Sequence, residues 1–199
     1  MNLEDYRTLF VVGSLVLVLA TAFPGLSLVF SFPRDGENFT ELWVLGPGHM
    51  AEEYPFNVEE GREYLVYVGV GNQMGSTSFY NMRVKFRTQS DPLPNATTET
   101  PSPLPTRYED MVFVEDGGTW ETPLNFSFSG VAFSGSQCRV ESLRINGFTF
   151  DVNKTVLWDE ENTGFYYQLF IELWIYRVES DAFAFHNRFV GLWLNMTSV

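Results

Sequence analysis

The sequence predicts an all-β domain of the β-sandwich class, preceded by one transmembrane helix near its amino terminus. Residues 33–199 contain many short segments of Val, Ile, Phe, Tyr and Thr bounded by Gly, Asn, Asp and Pro, with no long stretch of helical spacing. An uncharged run covers residues 8–32. At 199 residues with 45% hydrophobic side chains, the chain is large enough for one packed domain and a membrane segment.

The apolar centre of the uncharged run, residues 9–30, is long enough to cross a bilayer as a helix of about 33 Å. Residues 1–8 then form a short cytoplasmic amino terminus. A cleaved signal peptide is the alternative, because Ala20-Thr21-Ala22 fits a cleavage pattern. The acidic flank at Glu4 and Asp5 and the apolar residues beyond that site favour a retained signal anchor.

Glycosylation motifs decide the orientation better than flanking charges, because Arg7 and Arg34 nearly balance. Chance gives roughly one or two Asn-x-Ser/Thr motifs in a chain of this composition. Five occur, all after the apolar run, at Asn38, Asn95, Asn125, Asn153 and Asn195. We therefore expect a single-pass protein of the cell membrane with residues 33–199 outside the cell, the bilayer being its first partner.

The apolar pattern of the outer region predicts nine strands. Their predicted ranges are 41–45, 63–70, 79–87, 108–114, 124–128, 140–145, 148–152, 165–177 and 183–194.

The Asn146-Gly147 pair predicts a two-residue hairpin turn, with Leu143 and Ile145 on the same face as Phe148 and Phe150. Alternation in 124–128 points Leu124, Phe126 and Phe128 inward.

Segment 165–177 has apolar side chains on both faces. This predicts a strand that is buried on both sides or bent. Its 13 residues exceed the usual strand length, so we expect a bulge or sheet switch within it, followed by a long terminal hairpin.

Residues 89–106 hold five of the ten prolines and form an exposed loop or a linker. A linker would leave a first piece too small to fold by itself, which favours one β-sandwich with a long crossing loop.

Charge and composition exclude several function classes. The formal charge of −13 argues against nucleic acid as a partner. The single cysteine, Cys138, permits no internal disulfide and is expected to pack as a small apolar residue. No motif of a serine hydrolase, zinc protease, dithiol enzyme or P-loop protein occurs, so we expect no enzyme, no cofactor and no metal.

Three cations, Arg83, Lys85 and Arg87, alternate along one predicted strand. They could bind a sulfated glycan or a lipid head group, but a solvated face paired with acids such as Glu109 and Asp110 is favoured.

A distinctive loop at 46–55 carries His49, Glu52 and Glu53. A zinc site would need a third ligand, with His186 the one other imidazole, so a structural loop is favoured. The acidic segment 158–162 lacks the residue spacing of an EF-hand calcium loop, and a solvated turn is favoured.

Glycines at 69, 71 and 75 lack the spacing and the following helix of a phosphate loop, and they indicate a hairpin loop at 71–78. Glu172 and His186 could approach each other across the terminal hairpin, but one carboxylate is too few for a sugar hydrolase.

Four motifs stand out in the sequence: ELWVLGPGHMAEEYPFNV at 41–58, YVGVGN at 67–72, YYQLF at 166–170 and HNRFVGLWLN at 186–195. Together they resemble an archaeal membrane-protein family, domain-of-unknown-function family 1616. The resemblance spans nearly the whole chain and implies an archaeal membrane protein with an external portion, without an established reaction or catalytic residues. Residues 64–80 also resemble immunoglobulin-like surface modules related to cell adhesion, which makes the expected sandwich immunoglobulin-like.

These features lead to the hypothesis of a non-enzymatic, membrane-anchored surface glycoprotein that binds or braces an envelope protein or a glycan through a partly aromatic face. Aromatic residues form 17% of the chain, more than one sandwich core comfortably hides. One alternative is an accessory subunit of a membrane complex that binds through helix 9–30. Another is an envelope-polymer-modifying enzyme, which requires a pocket with two convergent carboxylates, or His49 beside Glu52 with a third ligand.

Overall fold

The computed structural model of the protein describes residues 6–7, 10–14, 16 and 38–198. Residues 6–7, 10–14 and 16 are helical. They belong to one unit of the chain, and residues 38–198 belong to a second. Most of the predicted transmembrane segment 9–30 lies outside the described residues. Among those that are described, no helix has the length and apolar character needed to span a bilayer.

The second unit is built from ten strands. Their order and bounds are β1 Phe39–Leu45, β2 Asn57–Val58, β3 Tyr64–Gln73, β4 Ser78–Thr88, β5 Tyr108–Val114, β6 Thr119–Ser134, β7 Gln137–Ile145, β8 Phe148–Leu157, β9 Tyr166–Arg177 and β10 Ala182–Met196. All nine predicted strands are present, and the prediction missed the two-residue β2.

The strands form two five-stranded sheets. The first sheet has the order β1-β3-β6-β7-β8, and the second has the order β2-β10-β9-β4-β5. All strand pairs are antiparallel except β2 with β10. The predicted all-β sandwich is therefore confirmed.

The hydrophobic core lies between the two sheets. Inward residues of β3 and β6, such as Val68, Leu124 and Phe126, pack with inward residues of β4 and β9, such as Val84 and Leu169. Cys138 is fully buried in the same core as a free thiol, and burial raises its pKa. The prediction that it packs as a small apolar residue is confirmed.

The hairpin between β7 and β8 turns at Asn146-Gly147, as predicted. Both residues have positive φ, 45° and 88°, which a two-residue type I′ turn requires. Ile145 pairs with Phe148 and Leu143 pairs with Phe150, so the predicted shared face is confirmed.

Strand β6 extends well beyond its predicted range of 124–128. Its first part is polar, with exposed Thr119 and Glu121, so hydrophobicity gave no signal for it. Pairing with β3 nevertheless begins at Thr119. Near its other end, Gly130 with a φ of 66° lies between the pairs formed by Ser129 and Val131, where a side chain would collide with Glu141.

Strand β9 is buried on both faces, which confirms one of the predicted alternatives. Eight consecutive residues from Tyr166 are buried. The expected bulge or sheet switch within this strand was wrong. β9 pairs with β4 without interruption and stays in the second sheet, and the irregularity lies in β10, between Phe185 and Arg188. The predicted terminal hairpin of β9 and β10 is confirmed.

The proline-rich loop 89–106 joins β4 to β5, which are neighbours in the second sheet. The expectation of a loop that crosses the sandwich was therefore wrong. The loop instead leaves β4, passes over the outer face of its own sheet and returns as β5 beside the strand it left.

Candidate functional site

The candidate functional site is the outer face of the second sheet, the face turned away from the core. It is formed by alternate residues of four strands, because successive side chains of a strand point to opposite faces. The residues that point outward are Phe79, Asn81, Arg83, Lys85 and Arg87 on β4, Glu109, Met111 and Phe113 on β5, Gln168, Phe170, Glu172, Trp174 and Tyr176 on β9, and Phe183, Phe185, Phe189 and Trp193 on β10.

A buried ion pair occupies the centre of this face. The ammonium Nζ of Lys85 lies 2.9 Å from Oε2 of Glu172, and both side chains are almost completely buried. Lys85 also donates to the carbonyl oxygen of Ser102, and the Ser102 N–H donates to Oε1 of Glu172. Because Ser102 lies in the proline-rich loop, the charged pair and the loop hold each other in place.

A second group of contacts ties the beginning of the loop to the sheet. The guanidinium of Arg87 donates to the Asp91 carbonyl and, over 2.7 Å, to Oε1 of Gln168. Burial lowers the pKa of Arg87, against the opposing effect of Asp91. Burial alone would raise the pKa of Asp91, but hydrogen bonds from Lys154 and Thr88 outweigh it and the pKa is lowered.

Arg83 lies toward the other end of the face. Its guanidinium carbon is 3.9 Å from the centre of the Trp174 ring, and its Nε is 3.7 Å from Glu109. The expected pairing of this cationic strand with Glu109 is thus present. The expectation of a solvated face was wrong, because Lys85 and Arg87 are buried. Asp110 pairs with Met82 and lies on the other face of β5. Arg83, Lys85 and Arg87 all face intramolecular partners, and an external anion would have to displace those partners in order to bind.

The end of the face beyond Arg83 carries an exposed aromatic patch, formed by Phe79, Met111, Phe113, Tyr176, Val178 and Phe183. Phe79 stacks on Phe113 with ring centres 4.1 Å apart, and Tyr176 meets Phe183 edge to face at 5.5 Å. Phe113 is 69% exposed and Val178 is 81% exposed. A cavity of about 640 Å³ lies against the patch, lined in part by Phe79, Phe113 and Tyr176.

The sequence predicted a partly aromatic binding face but not which residues form it. Its aromatic residues belong to predicted strands, but they come from four different strands that only the sheet order brings together. The available signal was the aromatic residue near the end of each strand, at Phe79, Phe113, Tyr176 and Phe183.

The distinctive loop containing His49, Glu52 and Glu53 lies on the first sheet. His49, with a φ of 57°, stacks on Tyr67 at 3.7 Å, and its Nδ1 is 2.5 Å from Oε1 of Glu121 on β6. The Glu52 carbonyl packs so closely over Gly46 that a side chain at Gly46 would collide with it. The favoured structural role therefore has a physical basis, and residues 38–198 contain no cluster of three metal-ligating side chains here or elsewhere.

The suggested approach of Glu172 to His186 was wrong, because the two side chains lie on opposite faces of the second sheet. His186 falls in the irregular part of β10, and its Nε2 is 2.8 Å from Oγ1 of Thr40. Thr40 continues this chain of hydrogen bonds to Tyr80. Burial, followed by the charges of Arg177 and Arg188, lowers the pKa of His186 to about 4.

The five glycosylation candidates differ in accessibility. Asn38, Asn95 and Asn153 are exposed, and Asn125 is half-buried on β6. Asn195 is half-buried, and both polar atoms of its side-chain amide make hydrogen bonds. Its Oδ1 accepts from the Phe165 N–H, and its Nδ2 donates to Asn57. A glycan at Asn195 would be attached to the same nitrogen that donates to Asn57.

The acidic segment 158–162 forms a turn organised by Asp159. Oδ1 of Asp159 accepts from the N–H groups of Glu161 and Asn162, while Oδ2 accepts from the side chains of Gln89 and Asn162. Hydrogen bonds from Asn162, Gln89 and the backbone lower the pKa of Asp159 to about 2. The predicted acidic turn is confirmed.

Comparison with protein families gives a match over most of the sandwich. The family described as "Domain of unknown function (DUF1616)" matches residues 33–162. The chain belongs to the DUF1616 family. The resemblance noted from the sequence motifs is therefore confirmed at the level of the family. None of the curated proteins matches the chain.

Several solved structures are similar to this DUF1616 chain at low sequence identity. One is the CARDB domain of PF1109 from Pyrococcus furiosus in complex with di-metal ions, with 8% identity, 80% of this chain and 89% of that chain covered, and a TM-score of 0.40. A second is a β-glucosidase from Listeria innocua in complex with glucose, with 7% identity, 80% and 16% covered, and a TM-score of 0.42. A third is the complex of Zinc 2-glycoprotein and Prolactin inducible protein from human seminal plasma, with 9% identity, 83% and 100% covered, and a TM-score of 0.39.

Proposed function

We propose that this DUF1616 chain is a non-enzymatic binding protein of the cell surface, held by an amino-terminal membrane anchor, whose sandwich binds a neighbouring envelope protein. The exposed aromatic patch at the end of the second sheet carries this proposal. Its partner is a protein that places an apolar side chain against Phe79 and Phe113 and basic residues beside β5.

The composition of the patch supports a protein partner. Aromatic residues and methionine are enriched in the cores of protein interfaces, and large exposed apolar patches are rare on proteins that bind nothing. Phe113, Met111 and Val178 are all more than two-fifths exposed, while Phe79 and Tyr176 are held beneath them by ring contacts. Rigid aromatic groups of this kind lose little conformational entropy when a partner covers them.

The neighbouring sheet edge supports a partner of different sequence. β5 is the terminal strand of the second sheet, so one row of its backbone groups has no strand beside it. Glu109 and Asp110 lie on this strand, and the chain has a formal charge of −13. Two copies would bring like charges together along β5, whereas a basic partner would be attracted.

The apolar run at 9–30 and the accessible glycosylation motifs support placement at the cell surface. Asn38, Asn95 and Asn153 are exposed at positions where a glycan would not disturb the core, and none of them belongs to the aromatic patch.

The test is site-specific photo-cross-linking of the full-length chain in its native membranes. A benzophenone amino acid is placed at Phe113 in one variant and at Leu157 in a matched control, because Leu157 is 63% exposed but lies at the end of β8 in the first sheet. We expect one dominant adduct with a single envelope protein from Phe113 and no such adduct from Leu157. The adduct is then identified by mass spectrometry.

Three outcomes would contradict the proposal. Equal adducts from Phe113 and Leu157 would show that contact is non-specific. An adduct formed only with a second copy of this chain would show that the patch mediates self-association and does not bind a different protein. A partner cross-linked from position 12 in the apolar run but never from Phe113 would favour an accessory subunit that binds through its helix.

A further inference from the structure

A second cleft lies at the opposite end of the second sheet from the aromatic patch and shares no residue with it. Its volume is about 350 Å³, and it is lined by Phe56, Gln89, Asn162, Tyr166 and Trp193. We propose that this cleft binds one or two residues of a neutral saccharide. The proposal goes beyond the proposed function, which concerns a protein partner at a different surface.

Three aromatic side chains form the apolar part of the cleft. Phe56 is 48% exposed and Trp193 is 38% exposed, so both rings keep a surface that a ligand can cover. Tyr166 lies 6.0 Å from Phe56, and its hydroxyl donates to the Asn162 carbonyl over 2.6 Å. The C–H faces of a pyranose ring are apolar, and they pack on aromatic faces as other apolar groups do.

Residues of the neighbouring strands hold the Trp193 ring in its orientation. Trp193 lies on β10 opposite Gln168, and the guanidinium of Arg87 lies 5.4 Å from its ring centre. Arg87 itself is fixed by its bonds to Gln168 and to the carbonyls of Gln89 and Asp91. A ring that is already oriented costs less conformational entropy when a ligand binds.

Two amides form the polar part of the cleft. Nε2 of Gln89 donates to Asp159 over 2.8 Å, and Nδ2 of Asn162 donates to the same carboxylate over 3.0 Å. These bonds orient both amides and leave each with a carbonyl oxygen and a second N–H hydrogen for a ligand. Groups that both donate and accept match sugar hydroxyls, which also do both.

The charges near the cleft select a neutral ligand. Asp159, whose pKa is lowered, is ionised at neutral pH, and Glu160 and Glu161 follow it in the same turn. Carboxylates at this rim would repel an anionic sugar such as a uronate. Arg87, the cation nearest to Trp193, is occupied by its own acceptors.

The size of the cleft limits both the ligand and its affinity. A volume of 350 Å³ is near the lower end of the roughly 300–1,000 Å³ typical of small-molecule sites, so the cleft accommodates a monosaccharide or a disaccharide. Because so small a ligand offers few contacts, we expect dissociation constants of about 1 mM.

The test is an NMR titration of the full-length chain in detergent with methyl glucoside, methyl mannoside and methyl galactoside. We expect at least one to shift the signals of Trp193 and Phe56 with saturation below about 20 mM, and sodium glucuronate to bind at least about tenfold more weakly. Trp193→Ala should weaken binding at least about tenfold, while Trp193→Phe keeps part of it. Trp158→Ala is the matched control, because Trp158 is 39% exposed but does not line the cleft.

Absence of binding by all three glycosides to the unmodified chain would overturn the proposal, and this outcome does not depend on any variant folding. Preference for glucuronate would overturn the assignment to neutral sugars. An equal loss of glycoside affinity in Trp158→Ala would show that binding does not depend specifically on this cleft. NMR shifts confined to Phe113 and Tyr176 would place the binding site at the aromatic patch. The cross-linking result at Phe113 is unaffected by any of these outcomes, so the two proposals fail separately.

Discussion

Side chains alternate between the inner and outer face in both sheets, but the outer faces differ in how much of them is exposed to water. On β7 in the first sheet, exposed Arg139 and Glu141 alternate with buried Cys138 and Val140. On β9 in the second sheet, both alternating sets are buried. The difference arises because loop 89–106 covers the second sheet, whereas the charges on β7 remain in water.

This difference in exposure changes how much an ion pair contributes to the stability of the fold. Arg139 and Glu141 lie 3.5 Å apart with both side chains about half exposed. Lys85 and Glu172 lie 2.9 Å apart and are almost completely buried. Solvent screens the first pair, while desolvation makes each charge of the second depend on its partner. The comparison teaches that a covered sheet face can hold charges if the covering segment supplies their remaining hydrogen bonds.

The largest effect is expected when the buried pair is broken from one side. Glu172→Leu leaves the Lys85 ammonium without a counter-charge and removes the acceptor of the Ser102 and Trp174 N–H groups. We expect the free energy of unfolding to fall by about 3–5 kcal/mol, measured by urea denaturation. The double variant Lys85→Leu with Glu172→Leu should recover at least about 1 kcal/mol of that loss. A double variant less stable than Glu172→Leu would contradict the account of the buried charge.

The next largest effect is expected in the pH dependence of stability, and it comes from His186 on the inner side of the second sheet. His186 has a folded pKa of about 4, below its ordinary value of 6.5, so the unfolded chain binds a proton more readily between these pH values. The free energy of unfolding should therefore fall as the pH drops from 6.5 to 4, by up to about 3 kcal/mol. His186→Gln should flatten this slope, and an unchanged slope would assign it to other groups. Asp91 and Asp159, whose pKa values are lowered, lose their contributions at lower pH.

A smaller effect is expected where the covering loop begins. Asp91→Asn keeps the shape of the side chain but removes the charge that accepts from Lys154 and Thr88. Stability at neutral pH should fall by about 1–2 kcal/mol in thermal or urea unfolding. Because the pKa of Asp91 is lowered in the folded protein, its charge stabilises the fold above the ordinary pKa of 3.8. The difference between the two proteins should therefore shrink as the pH falls below that value. A difference independent of pH would attribute the effect to shape instead of charge.

The smallest effect is expected on the exposed face of the first sheet. Arg139→Ala removes the pair with Glu141 and a hydrogen bond to Asn153, all in contact with water. The free energy of unfolding should change by less than about 0.5 kcal/mol. A loss comparable to that of Glu172→Leu would remove the distinction between the two faces.

The sequence by itself predicted nine of the ten strands, although not the full length of β6, and which of their side chains point inward. Alternation at Leu124, Phe126 and Phe128, the Asn146-Gly147 turn and the apolar density of β9 are local signals, and each is read correctly without knowledge of the fold. The motifs of residues 41–58 likewise pointed to the family.

Only the tertiary structure decided what covers the second sheet and which residues meet there. Loop 89–106 looked like an exposed loop or a linker, because nothing near it in sequence shows that Ser102 bonds to Glu172, 70 residues away. The aromatic patch and the cleft at Trp193 depend in the same way on the order β2-β10-β9-β4-β5, which places residues from distant strands side by side. Periodicity shows which side chains share a strand face, but sheet order and loop path, set by long-range pairing, determine which of them become neighbours.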